Sequence, residues 1–414
     1  MRPIRVVVDA RIPAVGWGGV QQVVIGLAAG HTSIAQSDLE ILYLVYPDGP
    51  DWLRPYVASK EQFQTVRAPA SPRRSRQLLS QQVPGLRSVY HAIMPPPPVP
   101  VSDGSLEALE PEIVHFPHQA AFLTAVRSIY QPHDLQHLHL PQFFTPRDRA
   151  TRDLHYQAFC EQASLVAMGS TWGREDILRA YGLPPQKVAV VPLAPVVDRY
   201  PALRRTELEK VSAELRLPEH FCFYPAQTWP HKNHARLLEA VAQLRDRQQL
   251  IVPLVFSGAE TDYRRHLDSL IKRLGLGPQV TWVGYVRPSQ VRALYRLARC
   301  VVVPTLFESA SQPVFEALSA GVAVACSNVT ATPRQVGDAA IVFDPYVVDQ
   351  IADAVQRLWT DPGLRVELVR RGKRRIADFT WERTAHHFSA YYRLLSGNNL
   401  TGRDQALLNA EPII

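Results

Sequence analysis

Two glutamates eight positions apart, Glu308 and Glu316, stand in the stretch FESASQPVFEALSAG at 307–321. Before them runs an apolar segment, 300–304, that reads as a buried strand ending in a polar loop. Pro313 follows that loop, where the start of a helix tolerates its fixed φ and missing donor. The loop amides and the helix N-terminus offer donors to a hydroxyl-rich or anionic ligand. Two carboxylates so placed can each accept from two hydroxyls of a sugar or a ribose. The ordinary alternatives are a first-turn acid favoured by the helix dipole, for Glu316, and a solvated loop acid, for Glu308.

Three further groups have the right chemistry. Lys232, in HKN, falls between a strand pattern and a helix pattern. There it can neutralise a diphosphate as charge builds on a leaving group, or be an ordinary surface lysine. The glycine-bearing loop Gly16-Trp17-Gly18-Gly19 follows the first strand pattern and precedes a helix, so backbone can approach a ligand closely. The stretch 130–139 holds His133, His137 and His139. Proline and apolar residues break any helical ligand face among them, which argues against a metal. His115 and His118, in HFPHQ, are further candidates.

The elements that must position these groups alternate along nearly the whole chain. Strand patterns are read at 4–10, 40–46, 114–116, 124–129, 165–170 and 188–191. A second series follows at 221–224, 254–257, 280–283, 300–304, 322–327 and 340–343. Helical patterns lie between them, at 19–30, 233–245, 263–274, 290–298 and 314–320. Such alternation predicts two parallel sheets, each covered by helices on both faces. Prolines 192, 195 and 201, followed by a charged segment, mark the boundary between 192 and 218. Residues 67–111 are irregular, with an exposed, extended MPPPPVPVSDG. The polar end after Leu395 reads as frayed.

At 414 residues the chain exceeds one ordinary core. It is 46% hydrophobic, and no apolar run is long enough to span a bilayer. The opening MRPIRVVVDA reads as a strand and not as a signal peptide, so the protein is expected in the cytoplasm. The four cysteines are dispersed among apolar neighbours, as buried free thiols are. The net charge is +7, with clusters at 73–76, 147–152 and 370–375. No aromatics interleave with them as in an RNA-binding surface. A solvated basic face is the plain reading, and attraction to the acidic inner face of the cell membrane is the next.

The segment 307–321 resembles the E-x7-E signature of the large GT4-like family of retaining glycosyltransferases, which have the GT-B fold. PAQTWPHKNHARLLEA at 225–240 looks like the family segment after the first strand of the C-terminal domain. HDLQHLHLPQFFTP at 133–146, NVTATPRQVGDAAIVFDP at 328–345 and FTWERTA at 379–385 also fit, in the expected order. The resemblance implies an α/β, GT-B architecture of two doubly wound Rossmann-like domains facing across a cleft. Residues 1–195 would form the acceptor-side domain and 196–380 the nucleotide-sugar donor domain. A helix at 381–396, capped by Thr380, would cross back to the first domain, leaving 397–414 as a flexible tail.

Site residues carry over position by position. The equivalent of Glu316 binds the nucleotide ribose and that of Glu308 contacts the donor sugar. His133 matches a histidine that touches the transferred sugar, with Asp134 orienting it or supporting the loop. His133, Glu308 and Lys232 are thus the expected catalytic set. Relatives often place a basic residue a few positions before the lysine. Here Ala226-Gln227-Thr228 stands instead, so diphosphate binding is expected to lean on Lys232, on Gln227 or Thr228, and on backbone amides. Relatives often have glycines between the acids. This loop reads Ser309-Ala310-Ser311-Gln312; by the resemblance these four residues line the donor, but the family pattern sets neither the loop's shape nor its sugar preference. Gly18 and Gly19 become donor-phosphate or acceptor-side candidates, and Tyr285 and Val286 match the loop that contacts the base.

The implied reaction is metal-independent transfer of a hexosyl unit, with retention, from a nucleotide-diphosphate sugar to a glycan or lipid-linked acceptor. GDP-mannose is the favoured donor, and by analogy the acceptor is a bacterial cell-surface polysaccharide or a lipid-linked oligosaccharide. No Asp-x-Asp occurs, so lysine, amides and helix dipoles would replace a chelated metal, and no cofactor is expected. Two alternatives stand beside this. One is a sugar-nucleotide epimerase or phosphorylase-like enzyme of the same fold. The other is a non-enzymatic nucleic-acid-binding protein, motivated by the charge.

Overall fold

Runs of Val, Ile and Leu bury both faces of a strand, and such strands pair in parallel beneath helices. The computed structural model describes residues 2–12, 18–34, 36–47, 50–66 and 95–414, and every strand pairing among them is parallel. The chain divides into two units, Met1–Val191 with Ala385–Ile413, and Pro192–Thr384. The basic cluster at 73–76 and the larger part of the irregular 67–111 region lie outside the described residues, as do Gly16 and Trp17.

The first unit holds β1 (Ile4–Asp9), β2 (Leu39–Val45), β3 (Phe63–Thr65), β4 (Ile113–Phe116), β5 (Arg127–Tyr130), β6 (Leu165–Met168) and β7 (Val188–Val190). Their order is β3-β2-β1-β4-β5-β6-β7, so the chain reverses its direction of travel between β1 and β4. The short edge strand β3 was not expected. The strand expected from 124 begins only at Arg127. Thr124 is instead tied down, its N–H donating to Gln162 and its hydroxyl to Glu107 (2.6 and 2.5 Å).

The second unit holds β8 (Cys222–Pro225), β9 (Leu254–Ser257), β10 (Val280–Gly284), β11 (Cys300–Val303), β12 (Val324–Ser327) and β13 (Ile341–Phe343). Their order is β10-β9-β8-β11-β12-β13, which reverses between β8 and β11. In open sheets of this kind, ligands collect beyond the strand C-termini at the point of reversal. Gly258 shows how tightly the loops meet there. At φ +140°, a Cβ on it would lie 2.7 Å from the Ala226 carbonyl.

Helix Trp381–Ser396 starts in the second unit, where Thr380 Oγ1 accepts from the Arg383 N–H and Trp381 Nε1 donates to the Pro195 carbonyl. Residues Ala385–Ile413 belong to the first unit. There Tyr392 meets His115 Nδ1 (2.7 Å), and Arg393 binds Asp38, Gln36 and Asp404. The expectation of a flexible tail after 397 is overturned. Thr401 caps helix Gly402–Asn409, and Asp404 neutralises the buried Arg393 guanidinium at 2.9 Å. An arginine so enclosed needs its partner, and that need fixes the tail. Part of the 370–375 cluster is likewise engaged internally. Arg370 and Arg371 share Glu367, and Arg375 donates to the Arg334 and Gln335 carbonyls. No helix among the described residues is long and apolar enough to cross a membrane.

Several buried histidines make this fold acid-sensitive. Burial pushes His31 down to about 4 and His115 to about 3. His234 falls to about 3, through burial and then the charges of Lys232 and Arg264. Above the ordinary histidine pKa, near 6.5, folded and unfolded chains are both neutral at these sites. Below it only the unfolded chain takes the protons, so stability is lost as pH falls from 6.5 toward 4. We expect the thermal midpoint to drop across that window. The slope should flatten in His234→Phe, which preserves packing against Tyr224, Phe256 and Trp282. A midpoint independent of pH there would contradict this.

Candidate active site

Strands β8 and β11 are neighbours at the reversal point of the second sheet, so the loops leaving their C-terminal ends must meet. Those loops carry Lys232 and Glu308. Lys232 Nζ lies 2.6 Å from Glu308 Oε1, and both side chains are partly exposed. The lysine is placed by its backbone: its carbonyl accepts from the Tyr224 hydroxyl at 2.9 Å. Asn233, at φ +60°, then donates from Nδ2 to the carbonyls of Pro304 and Pro345, which ties the loops after β8, β11 and β13 together. The Leu306 N–H also donates to the His231 carbonyl.

Glu316 sits in helix Gln312–Ala320, which follows the β11 loop. Gly321, in the left-handed region at φ +73°, ends this helix. Glu316 is 3% exposed, and its Oε2 accepts from the Tyr295 hydroxyl at 2.8 Å. The pair of acids, indistinguishable in type, is thus placed differently. Glu308 is ion-paired at the loop, while Glu316 is held from beneath by a tyrosine.

The glycine-poor loop between them is pinned from the segment after β12. Gln335 works as a peptide mimic. Its Oε1 accepts from the Ser311 N–H (2.8 Å), and its Nε2 donates to the Ser311 carbonyl (2.7 Å). Thr330 exchanges hydrogen bonds with the Glu308 backbone, accepting from its N–H and donating to its carbonyl. Ser311's amide is therefore committed within the protein, and the loop is rigid without glycine. Neither Gln335 nor Thr330 stood out in the sequence. The only signal was their place in the family-like stretch 328–345. Tyr295 carried none.

The other expected donor residues separate into groups. Gln227 Oε1 accepts from Trp229 Nε1 (2.7 Å), which holds a half-exposed indole in the loop leading to Lys232. Thr228 was expected to share the diphosphate, but it is 1% exposed. Its hydroxyl accepts from the Thr261 N–H (2.7 Å) and donates to Thr261 Oγ1 (3.1 Å), so it braces the β9 loop. Ser309, Ser311 and Gln312 are buried, and Ala310 is partly so. Tyr285 and Val286 lie past β10, an edge strand two removed from β8, with Tyr285 half exposed.

His133, Gly18 and Gly19 belong to the first unit. Gly18 (φ +48°) turns the chain into helix Gly19–Ile34, and a Cβ on Gly19 would meet nothing within 4 Å. His133 adopts φ +65°, a backbone state costly for a non-glycine residue. Its Nε2 lies 2.8 Å from the Pro117 carbonyl. A carbonyl only accepts, so Nε2 carries the hydrogen and Nδ1 is left as an acceptor. Burial pushes the His133 pKa below its ordinary value, which keeps the ring neutral. Asp134 supports the loop, accepting from the Gln136 N–H. His115 is fully buried between Tyr392 and Gln131, and is a core residue. Among the described residues no group of three or more His, Cys, Asp or Glu is placed to hold a metal ion.

Two doubly wound parallel sheets, with acids and a lysine at the reversal point of the second, define a GT-B protein. Residues 206–375 match the family described as glycosyl transferases group 1. The chain is 30% identical over 276 residues to the O-antigen chain mannosyltransferase B of Escherichia coli, covering 65% of this chain and 71% of that protein. It is 28% identical over 202 residues to the serotype-specific mannosyltransferase WbdA of the same species. That match covers 48% of this chain and only 25% of that longer protein. Among solved structures, Anabaena HepE in complex with UDP and glucose superposes with a TM-score of 0.68 at 16% identity, covering 94% of this chain and 99% of that one. The chain belongs to the glycosyl transferases group 1 family.

Proposed function

We propose that the chain is a retaining hexosyltransferase. It takes a nucleotide-diphosphate sugar, with GDP-mannose the favoured donor, and glycosylates a glycan or lipid-linked saccharide hydroxyl without a metal. The observation that carries this reading is the 2.6 Å Lys232–Glu308 pair at the reversal point of the second sheet, with Glu316 buried behind it. An ammonium group has three donors, so Lys232 can keep Glu308 while it also donates to a diphosphate oxygen. As the bond from C1 of the sugar to the diphosphate breaks, negative charge grows on the leaving oxygen, and a fixed cation there lowers the barrier. The acceptor oxygen bonds C1 on the face the nucleotide leaves, and its proton passes to the leaving phosphate. Glu308 accepts from sugar hydroxyls and Glu316 from the ribose. His133, neutral with Nδ1 as an acceptor, contacts the transferred sugar.

Mannose is favoured because two relatives are named mannosyltransferases, and a polysaccharide acceptor because one is named for the O-antigen chain. The test is binding and transfer with a panel of UDP-, GDP-, ADP- and dTDP-sugars, with and without excess EDTA. We expect one nucleotide class to bind, transfer to persist in EDTA, and the product to keep the donor's anomeric configuration. No binding of any nucleotide sugar at millimolar concentration would refute the reading. Release of free sugar without a glycosylated product would point instead to the epimerase class.

A further inference from the structure

Gln312 opens helix Gln312–Ala320, between the two acids, and is 8% exposed. Its carboxamide oxygen and nitrogen are both shielded and have no hydrogen-bond partner among the described residues. A buried amide in that state costs free energy that an apolar side chain of equal shape does not. The backbone offers no easy relief. Gln335 grips the preceding residue through both its N–H and its carbonyl, and Pro313 fixes the following φ. Glu316 stands one helical turn further on, so the two side chains share a face, with Cβ atoms about 5–6 Å apart.

We propose that Gln312 reads the donor, its carboxamide gripping a pair of neighbouring hydroxyls on the bound nucleotide sugar. The inference rests on the donor-binding reading given above and assigns one side chain a job within it. A carboxamide sets an acceptor oxygen beside a donor nitrogen. Two adjacent hydroxyls satisfy both at once, because each can donate or accept. A phosphate only accepts. It would satisfy Nε2 and set its charge against Oε1. A nucleotide sugar carries such a diol on the hexose and on the ribose, and the two sources are separable by experiment.

Gln312→Met keeps the length of the side chain and removes both polar atoms. Its thermal midpoint should be unchanged or higher, since no amide is left buried without partners. Its affinity for the nucleotide sugar selected by the panel should fall about tenfold, the loss of roughly two neutral hydrogen bonds. Calorimetric titration with that nucleotide sugar, and with the matching nucleoside diphosphate, locates the diol. Equal losses place it on the ribose. A loss confined to the nucleotide sugar places it on the hexose. Unchanged affinity in Gln312→Met overturns the assignment and leaves the donor-binding reading standing. If the wild-type protein binds no nucleotide sugar, both readings fall together. Gln312→Leu serves the same comparison should the methionine variant not fold.

Discussion

Replacing Lys232 by methionine should lower the rate of sugar transfer by about 10²–10³-fold, the usual effect of removing one group that stabilises a leaving-group charge. The loss should appear mainly in kcat, because the charge Lys232 meets is larger in the transition state than in the bound donor. The same change strands Glu308, which is 2.6 Å from the ammonium and only 13% exposed at its side chain. Stability should therefore drop too, by about 1–3 kcal/mol. Lys232→Met with Glu308→Gln separates the two effects. The neutral amide needs no cation, so the thermal midpoint should recover while transfer stays well below that of Glu308→Gln alone. If the double variant transfers as fast as Glu308→Gln alone, Lys232 serves only the fold.

Glu316→Gln should weaken nucleotide binding by about tenfold to a hundredfold, the range for a hydrogen bond to a charged group. The nucleoside diphosphate alone should show the full effect, since the contact proposed for Glu316 is with the ribose. The amide can still accept from the Tyr295 hydroxyl, which the structure places 2.8 Å from Oε2, so the fold should hold. Glu316→Ala removes that acceptor as well. It leaves the buried Tyr295 hydroxyl only the longer bond to the Pro313 carbonyl (3.3 Å) and should lower the thermal midpoint beyond the loss of affinity. A Glu316→Gln variant with wild-type affinity for the nucleoside diphosphate would exclude the ribose role. The contrast with Glu308→Gln is informative: that change should spare nucleoside diphosphate binding and slow transfer.

Both predictions use residues legible in the chain before any fold was known. The places of Glu308, Glu316 and Lys232 between strand and helix patterns make them candidates, and the family resemblance is what favours a site role over a loop acid, a first-turn acid and a surface lysine. Most strands were equally legible. Runs such as IRVVVD at β1 and CVVV at β11 are locally apolar, and both faces of each are buried. Errors arose where long-range partners decide the outcome. Thr124 looked like strand, yet Gln162 and Glu107 hold it outside the sheet. Thr228 looked like a ligand group, yet Thr261 claims its hydroxyl. The polar stretch after 397 looked frayed, yet Arg393 needs Asp404.

By itself the sequence determined the alternation of strands and helices and the two-domain α/β class, and it offered Glu308, Glu316 and Lys232 as site candidates. These follow from local patterns, because burial imposes a period on each strand and helix. Only the tertiary structure decided that Lys232 and Glu308 are paired, that Tyr295 supports Glu316, and that Gln335 rigidifies a loop lacking glycine. Each of those contacts joins residues distant along the chain, and the order of strands in the sheet, with the reversal between β8 and β11, brings them within hydrogen-bonding distance.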